Sequence, residues 1–248
     1  MGASLLKKVF IIGLIVFTGG VVASFAMGYS VFGVGSASVQ SSANVELDGA
    51  EMVDVDLDMS VGELILQGGT DFLMEGTFVS QTDPAVDYNV KGNRGYLNVK
   101  EKGSRTFFTM NFDFFSSKNN RNDWNITLNE SIPINLRVQT GVGTSEINLE
   151  GLQLTDLNID TGVGETIVDL SGDWVESFDS NISTGVGETV IILPTDVGVR
   201  LEINQGLGSI SVDGLTKDGI YYVNDAYDGG DVVLTIFIDS GVGDVKVQ

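Results

Sequence analysis

From residue 46 onward apolar and polar positions alternate with a period of two. Val53, Val55, Leu57 and Met59 interleave with Asp54, Asp56 and Asp58, which places four apolar side chains on one face of a strand and three carboxylates on the other. No stretch after residue 45 has helical spacing. The same alternation recurs inside a phrase that ends in Gly-Val-Gly or a close variant. Its clearest copies are Leu136 to Gly143, Leu157 to Gly164, Leu201 to Gly208 and Ile236 to Gly243, with weaker ones at Val55 to Gly62 and Ser180 to Gly187. The last glycines fall at 62, 143, 164, 187, 208 and 243, so the middle intervals are 21, 23 and 21 residues. Two and four positions after each of these glycines the inward column continues: Leu64 and Leu66, Ser145 and Ile147, Thr166 and Val168, Thr189 and Ile191, Ile210 and Val212, Val245 and Val247. A unit of about 20 residues cannot bury its own apolar face, but neighbours stacked on it can. The pattern predicts an all-β β-solenoid, a rack of largely parallel strands in coils of about 21 residues, with glycines at the corners where a Cβ would obstruct the turn.

Residues 71–125 are less regular. Asp87 to Val90 and Tyr96 to Val99 flank Lys91-Gly92-Asn93-Arg94-Gly95, which reads as a hairpin. The polar run Ser116 to Asp123 reads as an exposed loop, and Trp124 and Pro133 bracket the return to regular repeats. The organisation expected is a membrane-directed segment over 1–43, an irregular β region over 44–139 and the repeat region over 140–248.

The N-terminal segment is uncharged from Val9 to Val45 and follows Lys7 and Lys8. A positive start before an apolar run fits a secretory signal peptide, cleaved after Ala26 or Ala37 where small residues stand at −1 and −3. It fits equally a single transmembrane anchor with Tyr29 at the interface. In both readings the lysines stay on the cytoplasmic side and the repeats face outward, on the cell membrane or secreted.

Charge sharpens the choice of partners. The two lysines precede every acidic residue, so the chain after residue 44 carries 11 basic and 34 acidic side chains, a net −23. Such a field repels nucleic acid and anionic bilayer surfaces and attracts cations or basic protein surfaces. Eight of the 11 basic residues lie between Lys91 and Arg137, which sets that region apart from the acidic C-terminal half. There is no cysteine and no histidine, so disulfides, thiolate metal sites and imidazole chemistry are excluded.

Three stretches together resemble a known family: Glu46 to Glu51 with Val61-Gly62-Glu63-Leu64, then Asp71 to Phe78, then Trp124 to Leu128 with Ile132 to Leu136 and Thr140 to Gly143. Over residues 44–170 the chain resembles the toast-rack domain, a domain of unknown function found among cell-wall-active antibiotic response proteins and candidate adhesins. The resemblance implies a membrane-associated β protein with a rack-like stack of strands, acting in envelope stress signalling or adhesion. It supplies no catalytic residues. The chain departs from the envelope-stress regulators in having one apolar N-terminal segment rather than several.

Among candidate sites, Glu165 and Glu188 occupy the same repeat position and would sit about 4.8 Å apart in a stack. Such a pair either forms a solvated acidic edge or holds a divalent cation, calcium being the ion that accepts several carboxylates in loose geometry. Asp54, Asp56 and Asp58 lack the glycine and glutamate spacing of a calcium-hand loop and read as a solvated strand face. Phe108, Met110, Phe112 and Phe114 alternate as a core strand, which turns Phe107 and Phe115 the other way. With Lys118 and Arg121 these two form the candidate interaction surface, facing an envelope or membrane protein. The Gly-x-Gly motifs precede no helix, so phosphate binding is not expected. Asn125, Asn129 and Asn181 open glycosylation sequons that matter only in a glycosylating host. The function expected is a non-catalytic, cofactor-free interaction module outside the cytoplasm. The alternative is a calcium-dependent adhesin or a carbohydrate-active β-helix enzyme working from the Glu165 and Glu188 edge.

Overall fold

The computed structural model describes residues 38–102 and 122–248, all within one compact unit. Fourteen strands are described: β1 Val39–Val45, β2 Met52–Thr70, β3 Met74–Ser80, β4 Ala85–Lys91, β5 Arg94–Lys100, β6 Asp123–Asn129, β7 Pro133–Asn148, β8 Gln153–Asp169, β9 Phe178–Ile192, β10 Gly198–Leu207, β11 Ile210–Val212, β12 Thr216–Asp218, β13 Tyr221–Val223 and β14 Val233–Val247. No helix occurs among the described residues, and none there is long and apolar enough to cross a membrane. The apolar segment after Lys7 and Lys8 lies outside them, and both candidate cleavage positions precede β1.

The long strands β2, β7, β8, β9, β14 and β10 pair side by side, all parallel. Only residues 149–152 separate β7 from β8. A straight 16-residue strand would leave its end about 50 Å from its start, while four linking residues reach at most about 14 Å. Each long strand must therefore fold back at its middle. The side chains show that it does: Thr140 Oγ1 lies 3.3 Å from Ser145 Oγ, whereas five residues of straight strand would separate them by about 17 Å. Thr166 Oγ1 donates to Thr161 Oγ1 at 3.2 Å, and Thr189 Oγ1 to Thr184 Oγ1 at 3.1 Å. A ladder of hydroxyl pairs thus lines the inside of the corner. Further from the corner the two arms enclose an aliphatic core, in which Leu136, Val138 and Ile147 of β7 meet Leu157, Ile159 and Val168 of β8, all buried.

The glycines make the corner possible. Gly62, Gly143, Gly164, Gly187, Gly243 and Gly208 align in one column, with φ between 138° and 146°, a region that side chains disfavour. A Cβ on Gly164 would lie 1.7 Å from the Gly143 carbonyl oxygen. Both the dihedral and the spacing between coils therefore require glycine.

Stack order departs from chain order, because the C-terminal strand β14 inserts between β9 and β10. Burial explains the choice of end coil. Val245 of β14 is buried, whereas Ile210, its register partner at the end of the stack, is exposed. Shorter strands close both ends, antiparallel at β13 but parallel at β6, with β3 and β1 adding antiparallel strands beyond it. β13 covers part of β10, and β6, β3 and β1 extend the second arm of β2. The predicted hairpin is β4 and β5, which turns through Gly92 and pairs with the first arm of β2. Trp124 is buried edge-on against Phe78, with ring centroids 5.6 Å apart. Asn129 is also buried, and its amide donates to the carbonyls of Thr70, Asp71 and Phe72. This sequon asparagine is a structural staple.

Candidate functional site

Before the last glycine of each corner stands one aliphatic residue, and register places these residues in a single file: Val61, Val142, Val163, Val186, Val242 and Leu207. Except at Val61, which follows Ser60, glycines on both sides leave it no neighbouring side chain within its own strand. It stands at the apex of the bend. Val163 and Val186 are 48% exposed, Val242 46% and Leu207 69%. The file is thus an apolar ridge running along the stack axis, across the strands.

On the first-arm side the ridge borders a furrow of about 710 Å³ whose glycine positions include Gly141, Gly162, Gly185 and Gly241. Because glycine has no side chain there, the furrow is walled by the outward row just before it, with Asp58, Gln139, Asp160, Ser183 and Asp239 in register. On the second-arm side the flanking row is Glu63, Thr144, Glu165, Glu188, Asp244 and Ser209. The ridge is therefore apolar with an acidic row on either side.

Glu165 and Glu188 are direct neighbours, as their repeat position predicts. The residue beyond Glu188 is Asp244 of the inserted β14. Lys246 Nζ bonds Glu188 Oε1 at 2.5 Å, which raises the Lys246 ammonium above its ordinary value through that hydrogen bond and the accompanying charge attraction. Asp244 accepts from Ser209 Oγ at 2.6 Å and from the Ser209 amide at 3.0 Å. These bonds hold its carboxyl below the ordinary aspartate range. Glu146, one row further out, moves the opposite way. Its partial burial, and then the carboxylates of Glu63 and Glu165, push it up. Among the described residues no group of three or more acidic side chains is arranged to hold a metal ion.

The remaining sequence candidates fall elsewhere. Asp54 pairs with Arg94 at 2.6 Å and Asp56 with Lys100 at 3.8 Å, so this strand face is held by the hairpin. Phe107, Phe115, Lys118 and Arg121 lie outside the described residues. The ridge is the feature that reading along the chain missed, although its signal, an aliphatic residue between two glycines in each clear repeat, was in view.

An all-β sheet of bent parallel strands that presents an apolar edge defines a rack-type β protein. The chain belongs to the toast-rack family, residues 34–192 matching the family described as the N-terminal domain of toast_rack, DUF2154. Among solved structures it is similar to a candidate cell adhesion protein from Clostridium sporogenes, with 29% identity over 85% of this chain and 98% of that one and a TM-score of 0.72. Candidate adhesins from Bacteroides fragilis (14% identity, 85% of this chain and 96% of that one) and Parabacteroides merdae (12%, 88% and 98%) match with TM-scores of 0.23. At that value they carry no structural argument. None of the curated proteins matches the chain.

Proposed function

We propose that the chain is a non-catalytic interaction module of the cell envelope, a β-solenoid of about 21-residue coils that presents its corner ridge to another envelope component. The single observation that carries this reading is the apolar file in register across the coils, exposed at Val163, Val186, Val242 and Leu207. Stacked repeats offer long, stiff faces suited to binding, and apolar surface left exposed along such a face is typical of a contact site. The N-terminal apolar segment behind Lys7 and Lys8 supports placement outside the cytoplasm, on a retained anchor or after signal cleavage. Similarity to the Clostridium sporogenes protein supports adhesion as the form the interaction takes. The calcium or acid–base reading of Glu165 and Glu188 is disfavoured by Lys246, which already balances Glu188.

Photocrosslinking in cells tests the module. A photoreactive residue at Val163 or Val186 is expected to capture a discrete envelope species, and the same residue at Asn181, on the outer face of the first arm, is not. Equal capture from all three positions, or none from the ridge, would refute the reading.

A further inference from the structure

We infer that the ridge receives an amphipathic, basic α-helix of a partner protein, an inference that rests on the module proposed above and names its partner's chemistry. Valine is not needed at the apex for strand propensity, since threonine is equally at home in strands. An aliphatic residue nonetheless fills every step of the file, partly exposed at Val61 and Val142 and exposed at Val163, Val186, Val242 and Leu207. The flanks set the complementary charge. Among the described residues, the seven carboxylates in the two rows are met by two basic side chains, Arg137 on Asp160 and Lys246 on Glu188. A second copy of this chain would bring acidic rows against acidic rows, and an anionic bilayer would be repelled in the same way. A helix with an apolar stripe bordered on both sides by Lys and Arg matches all three rows at once.

Dimensions agree. Six residues at about 4.8 Å per step make a ridge about 24 Å long, the length of about 16 helical residues at 1.5 Å rise. The glycine furrow gives the helix's apolar side chains room beside the valines, as in other complexes where a helix lies in a groove. An extended segment fits less well, because its same-face side chains recur every 6.6 to 6.8 Å, as strand geometry dictates.

The test uses the full 248-residue chain in a neutral detergent, with a fluorescent 16-residue peptide carrying a leucine stripe flanked by lysines and empty micelles as the blank. Fluorescence anisotropy is expected to show saturable binding that weakens with salt. Changing Val163→Thr, Val186→Thr and Val242→Thr together should weaken it at least tenfold with the unfolding midpoint unchanged. A scrambled peptide of the same composition, and one with glutamate for lysine, should also bind at least tenfold more weakly. Equal binding by the triple variant or by the scrambled peptide overturns the inference. So does ridge-dependent partition of the wild-type chain onto phosphatidylcholine–phosphatidylglycerol vesicles, which would assign the ridge to a bilayer. If the in-cell crosslinks from Val186 form but the peptide does not bind, the helix is refuted while the module stands. If neither is seen, both fall.

Discussion

Asn122 Nδ2 donates to the Val61 carbonyl at 2.6 Å, and the Asn122 carbonyl accepts from the Glu63 amide at 3.0 Å. Within the stack a corner's backbone is met by the corner of the next coil. Beyond β2 no further Gly-Val-Gly stands among the described residues, and Asn122 meets that corner instead. Its carbonyl oxygen lies 1.8 Å from where a Cβ on Gly62 would be, as the Gly62 carbonyl oxygen lies 1.7 Å from the corresponding point on Gly143. Its Oδ1 also accepts from Trp124 Nε1 at 2.9 Å, which ties the cap to the core. Asn122→Ala removes both side-chain bonds and is expected to cost about 1 to 3 kcal/mol. Asn122→Asp keeps the acceptor for Trp124 and should cost less. Urea unfolding measures both, and equal losses would show that the Trp124 bond contributes nothing.

Gly164→Ala places a methyl group against the Gly143 carbonyl and forces alanine to φ 142°. Left-handed strain alone costs about 1 to 3 kcal/mol, and separating two coils disturbs the ladder on both sides. The variant is expected to lose at least about 3 kcal/mol or to fail to fold. Gly92→Ala is the control, since a Cβ there meets nothing within 4 Å and only φ 67° opposes it. Its loss should stay near 1 kcal/mol. Comparable thermal midpoints for the two variants would contradict the close-packed corner.

The corner was legible in the sequence because it imposes a chemical demand, glycine at a fixed phase of a strand, that nothing else satisfies. The hairpin around Gly92 was legible for the same reason. The order of the coils was not. The apolar columns of the two coils are equally aliphatic, and only burial shows that Ile210 ends the stack while its register partner Val245 lies inside it. The ridge escaped notice because a valine in a strand ordinarily signals propensity or core. Its meaning comes from alignment across coils distant in sequence, Val186 beside Val242 for example. Asn122, at the edge of a polar run, carried no mark of a cap.

Ser180 breaks the core column in which its neighbours are Leu157 and Ile236. It is 1% exposed, and its Oγ has no hydrogen-bond partner. A buried hydroxyl left unsatisfied costs about 1 to 3 kcal/mol, so Ser180→Ala is expected to stabilise the fold by about 1 kcal/mol. Differential scanning calorimetry reads this as a raised midpoint. A lowered midpoint would mean that the hydroxyl is satisfied after all.

Glu146 makes the fold sensitive to pH in a direction opposite to most carboxylates. Its folded value is raised above the ordinary 4.5, first by burial and then by Glu63 and Glu165. Over the window above pH 4.5 the native state therefore binds more protons at this site than the unfolded chain, and stability at this site falls as pH rises. Asp244 works the other way. Its lowered value adds stability above the ordinary aspartate range, which is lost as pH falls through the folded value. Glu146→Gln removes the first contribution and leaves the second. The variant should be more stable than the parent at pH 7, with the gain shrinking toward pH 4 as the parent's Glu146 takes up its proton. Urea midpoints measured across that range provide the check, and a gain that is constant with pH would show that packing, not ionisation, distinguishes the two side chains.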